Sequence, residues 1–123
     1  MHLTPFLAVS KALNDETRIR VLLALEADEL CLCQIVDLVG LAPSTLSKHV
    51  NLLTDAGLVQ RRKQGRWHYF RLAGDGAPAE VAQALDWVLG AVRKDPVIRK
   101  DAIRLRGILR KDLQETASCC YRS

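Results

Sequence analysis

The sequence predicts a mainly α-helical domain carrying one small β-hairpin. Three observations predict it. Apolar residues recur at spacings of three and four along most of the 123 residues, two short helical stretches meet at a break from Gly40 to Pro43, and a period of two appears only between Leu58 and Leu72. With 49% hydrophobic residues at this length, one modest core and a single domain over residues 1-123 are expected.

A first helix is expected over Pro5 to Leu13, where Phe6, Val9 and Leu13 share a face. Asn14 or Asp15 can cap a second, whose Ile19, Leu22, Leu23 and Leu25 form a broad apolar side reaching about Ala27. A third should start around Cys31 to Cys33, because Gln34 occupies the third helical position of a capping box; Ile35, Val36, Leu38 and Val39 follow and Gly40 stops it. Pro43, at its favoured first position, opens a fourth, with Leu46, Val50 and Leu53 inward and Gly57 at its end. Residues 31-56 therefore read as a helix-turn-helix.

Two strands, Leu58 to Lys63 and Arg66 to Leu72, flank Gln64-Gly65, so residues 58-72 form a basic wing beside the fourth helix. Gly74, Gly76 and Pro78 then break the chain before an amphipathic helix marked by Val81, Leu85, Val88, Leu89 and Val92. Beyond Asp95-Pro96 a last helix is expected from about Val97 to Glu115, with Ile98, Ala102, Leu105, Leu109 and Leu113 on one side. Residues 1-13 and 79-115 are the expected dimerisation helices, and residues 116-123 make a tail containing Cys119 and Cys120. The fold class is a dimeric winged helix-turn-helix.

Lys and Arg total 18 against 14 Asp and Glu, and the net charge of +4 suits an anionic partner. No apolar run approaches the ~18 residues that span a bilayer, and the start of the chain lacks a signal-peptide pattern, so no membrane partner and a cytoplasmic location are expected. In that reducing compartment four cysteines point to thiols, ion ligands or a redox pair rather than a disulfide framework.

Outside the apolar stripe of the fourth helix stand Ser44, Thr45, Ser47, Lys48 and Asn51. Short hydrogen-bonding side chains near a helix start can approach base edges, while Lys48 adds phosphate affinity. A solvated helix face would use the same residue types; the adjacent basic tip, with Arg61, Arg62, Lys63 and Arg66 around Gln64, favours DNA. Trp67, Tyr69 and Phe70 are expected to pack rather than stack on single-stranded bases. His49 lies near Ser44 and Ser47 without an acidic orienter or oxyanion motif, so neither an enzyme nor a catalytic cofactor is expected.

These segments resemble the ArsR family of metal-responsive winged-helix repressors. The likeness runs from about Leu7 to Leu72 and is carried by Leu13-Asn14-Asp15-Glu16-Thr17-Arg18-Ile19-Arg20-Val21-Leu22, Glu29-Leu30-Cys31-Leu32-Cys33, Ser44-Thr45-Leu46-Ser47-Lys48-His49 and Arg62-Lys63-Gln64-Gly65-Arg66-Trp67. The resemblance implies a homodimer on an inverted-repeat operator in double-stranded DNA, repressing a metalloid-resistance operon and released by an inducer. Two cysteines separated by one residue are typical of the arsenite and antimonite sensors and of the cadmium or lead sensors. As(III) or Sb(III) is the expected inducer, with Cd(II), Pb(II), Zn(II) or thiol oxidation as the alternative.

The arsenic branch usually carries a third cysteine further along the same helix, whereas here Val36 and Asp37 follow. Cys119 and Cys120 are the candidates to complete a site with Cys31 and Cys33. Soft thiolates select such ions. Residues two apart on a regular helix point roughly 200° apart, so Cys31 and Cys33 can share an ion only at the helix entrance or in an unwound first turn.

Overall fold

The apolar stripes converge on the second helix and on the start of the third. In the computed structural model, which describes residues 1–115 and side chains through Asp112, the order is α1 (Leu3–Ala12), α2 (Glu16–Ala27), β1 (Leu30–Cys31), α3 (Leu32–Val39), α4 (Pro43–Asp55), β2 (Val59–Gln64), β3 (Trp67–Leu72), α5 (Ala79–Val92) and α6 (Pro96–Glu115). The Leu113 side chain, Cys119 and Cys120 lie outside the described residues. Val21, Leu22, Leu30, Ile35, Leu46, Val50, Leu53 and Leu58 are fully buried. Each buried aliphatic side chain of this size contributes about 1.5–3 kcal/mol.

Local chemistry sets the helix ends. Asp15, rather than Asn14, caps α2, its carboxylate accepting the Arg18 N–H at 3.1 Å. Gly40 closes α3 at φ +77°, a left-handed conformation that glycine adopts without strain, and its N–H reaches the Val36 carbonyl at 2.8 Å. Proline opens α4 at its first turn, where its missing N–H costs nothing.

The wing differs from its expected form in two ways. It is a three-stranded antiparallel sheet ordered β1-β3-β2, because Leu30 pairs with Phe70 and Cys31 with Tyr69. Its two-residue turn is Gly65-Arg66 rather than Gln64-Gly65, since Gln64 pairs with Trp67. Gly65 at φ +63° takes the first central position, where turns matching the strand twist demand a positive φ.

The last helix keeps Ile98, Leu105 and half-buried Leu109 of its expected stripe inward but departs from it at Ala102. Ile98, Asp101, Leu105 and Ile108 are buried, while Ala102 is exposed. Asp101 replaces Ala102 in the stripe because Arg20 of α2 meets it through two hydrogen bonds, at 2.7 and 2.9 Å. The same paired carboxylate raises the affinity of the Arg20 guanidinium for its proton. Arg104 adds a bond at 3.0 Å to the Asp37 carbonyl, so α6 lies across α2 and α3 of its own chain. Exposed apolar side chains remain at Leu3, Phe6 and Leu7 on α1 and at Trp87 on α5.

Candidate nucleic-acid interface and thiol site

Burial of Leu46, Val50 and Leu53 rotates α4 so that Ser44, Thr45, Lys48 and Asn51 face outward, with Ser47 half-buried. At the back of the helix, Arg18 donates to His49 Nδ1 at 3.0 Å and to the carbonyls of Ala12 and Lys11 at 2.9 Å each. A guanidinium can only donate, so Nδ1 accepts and the imidazole proton sits on Nε2. His49 is thus a packing residue that fixes α4 against the ends of α1 and α2.

The wing brings its cations to the same side. A cleft of about 230 Å³ between α4 and the sheet is lined by Leu32, Ser47, Asn51, Arg61, Arg66, His68 and Phe70. The aromatic residues serve as platforms: Arg61 lies over Phe70 at 5.4 Å, Arg62 over Tyr69 at 4.7 Å and Arg66 over Trp67 at 6.0 Å. Phe70 is buried, as expected of a packing residue.

Three residues expected to contact DNA, Arg62, Gln64 and Asn51, have protein partners. Arg62 makes a forked pair with Glu29, at 2.6 and 3.2 Å, and donates to Gln64 Oε1 at 2.6 Å. Hydrogen bonding from Arg62 holds the Glu29 carboxyl below its usual range. Asn51 Oδ1 accepts from Arg61, which leaves its amide group for other bonds. Arg61 belongs to the basic tip expected from the sequence, whereas Glu29 and His68 were not legible as site residues. Their signal was a charged and aromatic alternation along the hairpin, but its cross-strand partners depend on register.

The thiols meet where β1 becomes α3. Cys31 is the N-cap residue and Cys33 the second helical residue, and their sulfurs stand 2.9 Å apart. Extended backbone at Cys31, φ −82° and ψ 163°, is what turns both sulfurs to one side, which a regular helix forbids. Cys31 is buried, 2% exposed, and Cys33 half-buried. Gln34 completes the expected capping box, its Oε1 accepting the Cys31 N–H at 2.9 Å. Its amide nitrogen donates to Asp112 on α6 at 2.8 Å.

A tetrahedral ion with sulfur ligands at about 2.3 Å needs them roughly 3.8 Å apart, so this pair fits after opening by under about 1 Å. Among the described residues no group of three or more potential metal ligands is assembled. Cys33 is disulfide-bonded as the structure stands, in contrast to the reduced cysteines expected from the sequence, so ligation by both sulfurs belongs to the reduced protein.

A profile described as "Bacterial regulatory protein, arsR family" matches residues 15–61, from the α2 cap into the wing. The chain is 35% identical over 100 residues to the arsenic resistance transcriptional regulator ArsR1 of Pseudomonas putida, covering 79% of this chain and 74% of that protein. The chain belongs to the ArsR family. As such it is a DNA-binding transcriptional repressor and not an enzyme. The cadmium resistance regulator CadC homolog of Staphylococcus aureus is 35% identical over 77 residues, 62% of this chain and 64% of that one. Among solved structures, the homodimeric winged helix-turn-helix DNA-binding domain Mb0332 of Mycobacterium bovis matches with a TM-score of 0.63 at 28% identity, covering 75% of this chain and 82% of that chain. No helix among the described residues is long and apolar enough to cross a membrane.

Proposed function

We propose that this ArsR-family repressor binds an inverted-repeat operator as a homodimer in the cytoplasm and is released when As(III) or Sb(III) is bound by cysteine thiolates. One observation carries the reading: the two sulfurs stand 2.9 Å apart at the start of α3, and the residue between them, Leu32, lines the cleft between α4 and the wing. A change in the first turn of α3 therefore moves a wall of the DNA-facing cleft. Cys31 is held by its backbone pairing to Tyr69, so the opening of the pair falls on Leu32 and Cys33. A coupling of ~1–3 kcal/mol from that displacement weakens operator binding roughly 5–150-fold.

Ser44, Thr45 and Asn51 read bases, Ser47 supports them from the cleft, and Lys48, Lys63 and Arg66 engage phosphates. Arg62 and Gln64 reach DNA by exchanging their present partners. The exposed Leu3, Phe6, Leu7 and Trp87 supply the apolar surface for dimerisation through α1 and α5. Cys119 and Cys120 complete the thiol site. The Gln34 bond to Asp112 supports this assignment, because it holds the last turn of α6 beside the start of α3, and the four residues from Glu115 to Cys119 span at most about 13 Å.

Operator binding by fluorescence anisotropy, titrated separately with arsenite, antimonite, Cd(II), Pb(II) and Zn(II), tests the reading. Arsenite and antimonite release the wild type, and Cys33→Ser keeps operator affinity while losing release; release retained in that variant sinks the thiol assignment. Replacing Cys119 and Cys120 together by serine weakens the response, and unchanged arsenite sensitivity removes the tail from the site. Release by Cd(II), Pb(II) or Zn(II) alone assigns the chain to the same fold with a different soft ion, in keeping with its likeness to the cadmium regulator. The short sulfur separation also supports a second reading, in which an oxidant takes two electrons and two protons from the thiols to form a disulfide. Mass spectrometry separates them: loss of two hydrogens marks oxidation, and an ion adduct marks ligation.

A further inference from the structure

We propose that Asp112 is a positioning residue of the thiol pair, acting through the side chain of Gln34; the inference rests on the thiol reading above. The Gln34 amide faces two partners of opposite kind. Its carbonyl oxygen accepts the Cys31 N–H at 2.9 Å, and its nitrogen donates to Asp112 Oδ2 at 2.8 Å. An ionised carboxylate only accepts, and a backbone N–H only donates. A flipped amide would therefore set donor against donor at Cys31 and acceptor against acceptor at Asp112. Asp112 thus fixes the orientation in which Gln34 closes the capping box, and with it the extended backbone that holds the two sulfurs together.

The contact is separable from the attachment of α6 as a whole. Asp101 with Arg20, Arg104 with the Asp37 carbonyl, and the buried Leu105 and Ile108 all hold α6 on α2 and α3 without Asp112. Removing the Asp112 carboxylate releases the amide and leaves the helix docked. Outer contacts of this kind change ion affinity about 10–100-fold when lost.

The experiment uses the full chain, with Cd(II) as probe. Sulfur-to-cadmium charge-transfer absorption reports binding, operator anisotropy without ion reports the DNA-binding state, and amide hydrogen exchange without ion reports the first turn of α3. Asp112→Ala should weaken Cd(II) binding ~10-fold or more, speed exchange at residues 31–36, and leave ion-free operator affinity unchanged. Asp112→Asn, which keeps an accepting oxygen, should restore both readouts. Gln34→Glu should reproduce the loss, and combining it with Asp112→Asn should recover it by reversing the donor and the acceptor.

Wild-type behaviour of Asp112→Ala in both readouts overturns the proposal. So does an Asp112→Asn variant as weak as Asp112→Ala, or a parallel loss of ion-free operator binding. A Cys33→Ser variant that binds Cd(II) as the parent does overturns the thiol reading and the proposal together, a pattern distinct from failure at Asp112 alone.

Discussion

α4, the proposed DNA-reading helix, and α3, the helix of the proposed thiol site, sit side by side, yet their polar groups are held in opposite ways. On α4, Ser44, Thr45 and Lys48 point outward from a helix fixed by fully buried Leu46, Val50 and Leu53. At the start of α3, Cys31 is buried, paired through its backbone to Tyr69 and capped by Gln34, which is tied in turn to α6. A reading surface needs groups presented unchanged on a rigid support. A switch needs groups woven into neighbours that must rearrange when those groups change.

The comparison predicts that substitutions on the α6 side cost folding free energy and those on the reading face cost DNA binding. The largest effect is expected from Asp101→Ala, which strips two charged hydrogen bonds from half-buried Arg20 and should lower unfolding free energy by ~1.5–3 kcal/mol in urea titrations. Wild-type stability in that variant would erase the distinction between the two regions. Thr45→Ala should leave the urea midpoint in place and reduce discrimination between operator and random DNA by ~1–3 kcal/mol in competition binding. Equal losses on both DNAs would remove Thr45 from the base-reading set.

Arg66→Ala should act more evenly, weakening all DNA and lowering the slope of log affinity against log salt by about 1. The smallest effect belongs to the ion pair between Glu29, just before β1, and Arg62 of β2. Because Arg62 lowers the Glu29 pKa below its ordinary 4.5, the pair stabilises the fold above that pH, and this stability is lost as pH falls through the lower folded value. Glu29→Gln should therefore cost less than ~1 kcal/mol at neutral pH and converge with the wild type in acid, as followed by thermal unfolding.

The same contrast explains what could be read in advance. The stripe of α4 and its proline start are local signals, and so are the Gln34 capping box and the Gly40 stop; all of them appear where the sequence placed them. β1 did not, because a two-residue strand has no period and exists only through Phe70 and Tyr69, which lie about forty positions away. Asp101 was passed over for Ala102 because helical spacing tolerates either, and the choice rests on Arg20, 81 residues earlier. The turn slipped by one residue because Gln64-Gly65 and Gly65-Arg66 both satisfy a glycine-containing hairpin, and only the pairing of Gln64 with Trp67 decides between them. Of the thiol site, the cysteines and their cap were legible and the tie to Asp112 was not.

The fork between Glu29 and Arg62 gives the wing a counterion of its own. Were a phosphate to take Arg62, as the proposed complex requires, a cation would leave the DNA while Glu29, newly bare, gathered one from solution. That exchange is nearly neutral in salt, so this arginine shapes how the wing sits without adding its share to the ionic-strength dependence. In the proposed complex the salt-sensitive grip then falls to Lys63 and Arg66 at the tip of the wing, while Glu29 stands two residues from Cys31.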